Sequence, residues 1–238
     1  MQSEINPLPS GILFDLDGTL IQSLEQHCAA WKHALAEIGL SFNDSDYYVL
    51  EGAPLLDIAR TLVAKGFSVT PVKNDLPPIH DYVKLVENKK RAYVASHRNT
   101  FYPFVEALVK SLHDQHIPIG IVTASHGDQL RATVPAEFLA HFSAICTGDQ
   151  FKNGKPHPEP YLTGAKILGI PIRQCIVVEN APFGVRSAKA AECQSCIGVT
   201  STVDSSQLLA AGADFIARDM DEVRNYLFFG SEVSSQSR

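Results

Sequence analysis

In GILFDLDGTL, residues 11–20, a continuous apolar run (Ile12, Leu13, Phe14) closes on an Asp-Gly pair. That is the pattern of a strand buried on both faces and ending in a turn. Similar short runs recur downstream: IPIGIVTA (117–124), FSAICTG (142–148), CIVVEN (175–180), SCIGVT (195–200) and DFIA (214–217). Helical patterns lie between them, in VEALVKSLHDQ, YLTGAKILG, FGVRSAKAA and SSQLLAAG. Strands alternating with helices predict an α/β fold, a Rossmann-like parallel sheet flanked by helices.

One interval breaks the alternation. From Ile21 to Asn99 the segments EQHCAAWKHALAEIG, LLDIARTLVAKG and VKLVENKKRAYVASH all carry helical spacing, and no strand pattern interrupts them. This predicts an all-helical cap over residues 21–99, inserted after the first strand of a core formed by residues 1–20 and 100–238, with flexible junctions. Trp31 and the leucines around it are expected in the cap's own core. The tail after Phe229 is polar and expected to be disordered.

The bulk composition narrows the function classes. With 45% hydrophobic residues, 19% charged residues and a net charge of −6, the chain carries no electrostatic footprint for nucleic acid. The densest basic run, Lys89-Lys90-Arg91, reads as a solvated helix face. No apolar stretch reaches the ~18–20 residues of a membrane span, and MQSEINPLPS has neither the basic region nor the apolar run of a signal peptide. A cytoplasmic protein, monomeric or weakly dimeric, is the expectation. Five scattered cysteines read as reduced thiols, and the CxxC of Cys193 and Cys196 lacks two further ligands for zinc.

In open parallel sheets, ligands gather at the carboxyl ends of strands. Here those ends carry Asp15 and Asp17, Thr123 and Ser125, and Glu179 with Asn180, while Lys155 precedes the later strand. Asp15 and Asp17 are two apart, so both side chains leave an extended segment on one side. Their mutual repulsion would be relieved by a divalent cation. Magnesium prefers oxygen ligands, keeps some water and pairs with phosphate.

ILFDLDGTL resembles the first motif of the haloacid dehalogenase superfamily, hhhDxDGT. The remaining motifs follow in order: IVTAS with Thr123, KNGKPHPEPYL with Lys155, and VVENAPFGVRSAKAA. The resemblance implies a Mg2+-dependent phosphatase acting on a small phosphate ester. Asp15 would be the nucleophile that forms an aspartyl-phosphate, and Asp17 the general acid/base. Thr123, with Ala124 and Ser125, would bind the phosphoryl group, and Lys155 would neutralise charge beside Asp15. Asp15, Asp17, Glu179 and Asn180 would hold the metal. The dehalogenases that name the superfamily lack the second aspartate, so Asp17 favours phosphate chemistry.

GKPHPEPYL together with ENAPFG resembles the subgroup of glycerol-3-phosphatases, deoxysugar-phosphate phosphatases and β-phosphoglucomutase, which implies a sugar or polyol phosphate. The mutases carry an arginine three residues after a cap-loop glycine. In EGAPLLDIA the glycine is Gly52 and that position is Leu55, which disfavours a mutase. Gly52 and Glu51 are the cap residues expected to face the substrate. A Schiff-base lysine would be needed for phosphonatase chemistry, and Lys32 reads instead as an exposed helix lysine. Two positions depart from the pattern. Asn180 stands where the fourth motif has a second acid, which leaves open a weakly active, phosphate-binding regulatory protein. Glu192 stands where relatives have a helix-ending glycine, which implies strain or a different helix ending.

Overall fold

The computed structural model describes residues 9–53, 55–69, 81, 84 and 99–230. Six parallel strands form one sheet: β1 (Gly11–Phe14), β2 (Ile119–Val122), β3 (Ala144–Cys146), β4 (Cys175–Glu179), β5 (Ser195–Val199) and β6 (Phe215–Ala217). Their order is β3-β2-β1-β4-β5-β6. The chain therefore reverses direction of winding at β1, between β2 and β4, and the carboxyl ends of those three strands form the switch-point crevice. Every apolar run read as a strand is one.

Three helices, α1 (Leu24–Ala36), α2 (Asp44–Tyr48) and α3 (Leu55–Val69), follow β1. After them come α4 (Val105–Asp114), α5 (Gly127–Thr133), α6 (Ala136–Leu139), α7 (Glu159–Leu168), α8 (Pro182–Ala190), α9 (Ser205–Ala211) and α10 (Met220–Phe229). The expected helix over VKLVENKKRAYVASH, the basic run at 89–91 and most of the polar tail lie outside the described residues.

Alternation along the strands sorts the core into two layers. Ile12 and Phe14 face one side of β1 and join Ile119, Ile121, Ile176 and Val178 under α4 and α10. Leu13 faces the other side with Val122, Cys146, Cys175 and Val177, under α7, α8 and α9. All five cysteines are buried and free, as expected of core thiols.

The helices after β1 have a separate apolar cluster. Cys28, Trp31 and Leu35 of α1 meet Tyr47 of α2 and Ile58, Leu62 and Val63 of α3, at helical spacings. Trp31 is 2% exposed, so its expected place in that core holds. Lys32 is half-exposed and pairs with Asp44, as a surface lysine would. The two chain passages between this cluster and the sheet are tied to each other: the Gln22 amide donates to the Thr100 carbonyl at 2.8 Å, and the Tyr102 amide to Leu20 at 3.1 Å.

Glu192 adopts φ +61°, the left-handed conformation that glycine takes without penalty. Here the Glu192 and Cys193 amides close the end of α8 by donating to the Lys189 and Ala188 carbonyls, and the strain inferred from sequence falls on one residue whose carboxylate is engaged by Arg173.

Candidate active site

Asp15 continues the register of β1, its amide donating to the Val178 carbonyl at 3.0 Å. Leu16 then points into the core at 1% exposure, which sends Asp15 and Asp17 to the opposite side together. Gly18, at φ +87°, makes the turn. A Cβ at this position would run into the Asn180 amide and sit 2.6 Å from Glu51 Oε1, so the turn, the end of β4 and the loop of Glu51 meet there with no room for a side chain.

Lys155 lies in the loop between β3 and α7, with 3% of its surface exposed. Its Nζ donates to Asp15 Oδ1 and to Glu179 Oε1, each at 2.6 Å. Tyr161, one turn into α7, donates to the same Glu179 oxygen at 2.8 Å, and the Ala181 amide donates to Glu179 Oε2 at 3.0 Å. Burial disfavours the Lys155 ammonium, but the charges of Asp15 and Glu179 outweigh it and hold its pKa above the ordinary value. An ammonium this deep persists only with such partners, because removing either carboxylate strands its charge.

Asp17 is ringed by hydroxyls. Ser23 donates to Oδ1 at 2.6 Å, and Ser125 and Thr123 donate to Oδ2 at 2.9 and 3.2 Å. His27 Nε2 stands 3.8 Å from Oδ1. Ser23 and His27 were not among the residues singled out from sequence. Their signal was present, because they lie four apart and share one face at the start of α1. Thr123 also accepts from the Ser125 amide at 3.0 Å, so Thr123, Ala124 and Ser125 form a tight turn at the end of β2. The Ala124 carbonyl is so close to Gly148 that any side chain at 148 would strike it.

Asn180 is fully buried and satisfied on both ends. Its Oδ1 accepts from Thr19 at 2.8 Å, while its Nδ2 donates to Glu51 Oε2 at 2.9 Å and to Thr202 at 3.0 Å. Gly52, next to Glu51, has φ +74° and lies over the start of α8, where a Cβ would stand 3.5 Å from that of Ala181. The residues named from sequence, Asp15, Asp17, Gly52, Thr123, Ala124, Ser125, Lys155, Glu179 and Asn180, thus gather at one edge of the sheet. Tyr161, Thr19, Thr202 and Ser23 complete the hydrogen bonding, and His157, given no role from sequence, stays half-exposed.

Four carboxylates, Asp15, Asp17, Glu51 and Glu179, lie close enough to act on one another, and the Lys155 ammonium pairs with two of them, Asp15 and Glu179. Burial, reinforced by neighbouring acids, pushes Asp15 up to about 7 in spite of Lys155. Burial likewise holds Glu51 well above the usual carboxylate range. A cluster of hard oxygen donors with surplus negative charge suits a divalent cation, which would return these groups to their ionised forms. Among the described residues no three His, Cys, Asp or Glu side chains are grouped to hold a metal by themselves. Oxygen donors of this kind are compatible with magnesium, which takes one or two carboxylates and completes its shell with other oxygens.

Fold and site together define a doubly wound α/β protein with an acid–lysine centre at its switch point. The haloacid dehalogenase-like hydrolase family matches residues 12–198, and the chain belongs to it. It is 31% identical to hexitol phosphatase A of Escherichia coli (strain K12) over 198 residues, covering 83% of this chain and 86% of that protein. It is 30% identical to validoxylamine A 7'-phosphate phosphatase of Streptomyces hygroscopicus subsp. limoneus over 213 residues, 89% of this chain and 94% of the relative. A hydrolase of known structure from Pseudomonas syringae superposes with a TM-score of 0.77 at 25% identity, over 93% of this chain and 98% of that one. The protein is a phosphoric monoester hydrolase for small phosphate esters. Among the described residues no helix is long and apolar enough to cross a membrane.

Proposed function

We propose that the protein hydrolyses a sugar or polyol monophosphate through an aspartyl-phosphate on Asp15, with Mg2+ as cofactor. The observation that carries this reading is the Lys155 ammonium, held 2.6 Å from Asp15 and anchored from behind by Glu179. It keeps a buried carboxylate beside a fixed positive charge, where an anionic phosphoryl group can be approached by an anionic nucleophile. Asp15 Oδ attacks phosphorus, and the P–O bond to the leaving alcohol breaks. Asp17 gives that alkoxide a proton, then takes one from the water that attacks the acyl-phosphate and returns Asp15 to its carboxylate. Ser23, Thr123 and Ser125 hold Asp17 in place, and on substrate binding Thr123 and Ser125 would turn their single hydroxyl protons from Asp17 to the phosphoryl oxygens.

Asp15, the Asp17 backbone carbonyl and Asn180 would hold the cation, with Glu179 supplying charge from behind Lys155. When bound, it screens the phosphate from the surrounding carboxylates. Residues 21–99 act as the helical cap on a core of 1–20 and 100–238, and their closure excludes bulk water. The relatives named for hexitol phosphate and validoxylamine 7'-phosphate support a polyhydroxylated substrate. The five free cysteines suit a reducing compartment, which supports the cytoplasm. The test is phosphate release from hexose, pentose, polyol and nucleotide monophosphates, with Mg2+ or with EDTA, against Asp15→Asn. Release from one class, dependent on Mg2+ and lost in the variant, is the expected result. Isomerisation of a sugar 1-phosphate without phosphate release would make it a mutase instead.

A further inference from the structure

We propose that Glu51 is a positioning residue of the cation site, carrying from the cap loop the negative charge that Asn180 lacks and fixing the Asn180 amide. This rests on the phosphatase reading above and extends it to a residue outside the motifs. Asn180 and Glu51 are 129 positions apart, yet Nδ2 donates to Oε2 at 2.9 Å, with Thr202 bridging to the same oxygen at 3.2 Å. Both side chains are buried, Glu51 with 5% exposed and Asn180 with none. With its NH2 end held by Glu51 and Thr202, the amide can present only Oδ1 as a donor to a cation.

The pairing also explains why an amide stands at 180. An aspartate there would have no N–H to give, so the bond that now runs to Glu51 Oε2 at 2.9 Å and the one to Thr202 would both lose their donor. The two residues therefore depend on each other: a neutral side chain at the strand end and an acid on the cap loop. Because Glu51 precedes Gly52, whose positive φ seats the loop against the start of α8, the acid is in place only when the loop is seated. Cation binding and loop seating then stabilise each other reciprocally.

A double-mutant cycle of Glu51→Gln and Asn180→Asp tests this, with Mn2+ as an oxygen-seeking probe followed by loss of the free-ion EPR signal. Glu51→Gln is expected to weaken Mn2+ about tenfold. The double variant, with an amide on the loop and an acid at the strand end, is expected to return to within about threefold of wild type. Should Glu51→Gln fail to fold, Thr202→Val, which strips one of the two anchors of Glu51, is expected to weaken Mn2+ in the same direction by a smaller factor. Unchanged Mn2+ affinity in these variants, or effects of Asn180→Asp that are equal in both backgrounds, would overturn the proposal. Mg2+-dependent phosphate release by the wild type is measured alongside. Its absence would sink the phosphatase reading, whereas its presence with an additive cycle would sink only the role of Glu51.

Discussion

The sheet edge and the loop of Glu51 meet in one site, but they are built differently. At the sheet edge each polar side chain hangs from a strand end: Asp15 from β1, Thr123 from β2, Glu179 from β4. The bonds among them are short and charged, with Lys155 2.6 Å from two carboxylates. On the cap side, Glu51 comes from a turn closed by a positive-φ glycine and is held by an amide and a hydroxyl. The cluster around Trp31 is distinct from the two layers on the sheet and touches α8 through Phe183. The difference teaches that the charged centre is built from strand ends over the large core, whereas Glu51 reaches it from a loop beside a smaller core.

The largest expected effect lies at the sheet edge. Asp15→Asn should lower kcat by about 10⁴-fold or more, because the proposed reaction makes its covalent bond through this carboxylate. Without metal the wild type should lose more Tm between pH 4 and pH 8 than Asp15→Asn does. Folding lifts the Asp15 carboxyl from 3.8 to about 7. A raised acid pKa means that stability is lost as pH rises through that window, a loss asparagine does not suffer. Residual turnover near the wild-type rate would move the chemistry away from this edge. Asp17→Asn should cost about 10²–10⁴-fold with alkyl phosphates and much less with p-nitrophenyl phosphate, whose leaving group needs no proton. Equal losses on both substrates would deny Asp17 the role of acid.

Two stability measurements sharpen the contrast between the regions. Lys155→Met leaves Asp15 and Glu179 buried without their cation, and denaturant unfolding should show a loss of about 3–5 kcal/mol. Trp31→Ala should cost a similar amount, about 3–5 kcal/mol, but confined to the cap cluster. Hydrogen exchange should then rise across α1 to α3 while β1 and β4 stay protected. Loss of protection in both places would mean that the two cores unfold as one. The smallest effect expected is that of Ser125→Ala, about 1 kcal/mol in transition-state binding, because Thr123 and Ser23 still hold Asp17.

Much of this was legible in the sequence because it is local. A strand buried on both faces must be apolar throughout, so Ile12 to Phe14 and Cys175 to Val178 announce themselves. The motif residues follow at the ends of such runs. Short helices such as GDQLRAT of α5 carry too few apolar positions to show a period, so they emerge only from the packed structure. The contacts of Asn180 were equally hidden. The residue could be marked as a departure, but its partner lies 129 positions away in a loop whose course is set by tertiary packing. Ser23 and His27 fall between these cases, close in sequence to Asp17 yet placed by the turn at Gly18.

The central claim is that Asp15 forms a covalent bond to phosphorus, and trapping that bond tests it most directly. Protein quenched in acid during turnover, reduced with borohydride and digested should yield homoserine at position 15, because an acyl-phosphate is reduced and a free carboxylate is not. The label should require both Mg2+ and substrate and vanish in Asp15→Asn. Steady phosphate release with no homoserine at 15, or with homoserine at another aspartate, would contradict the account.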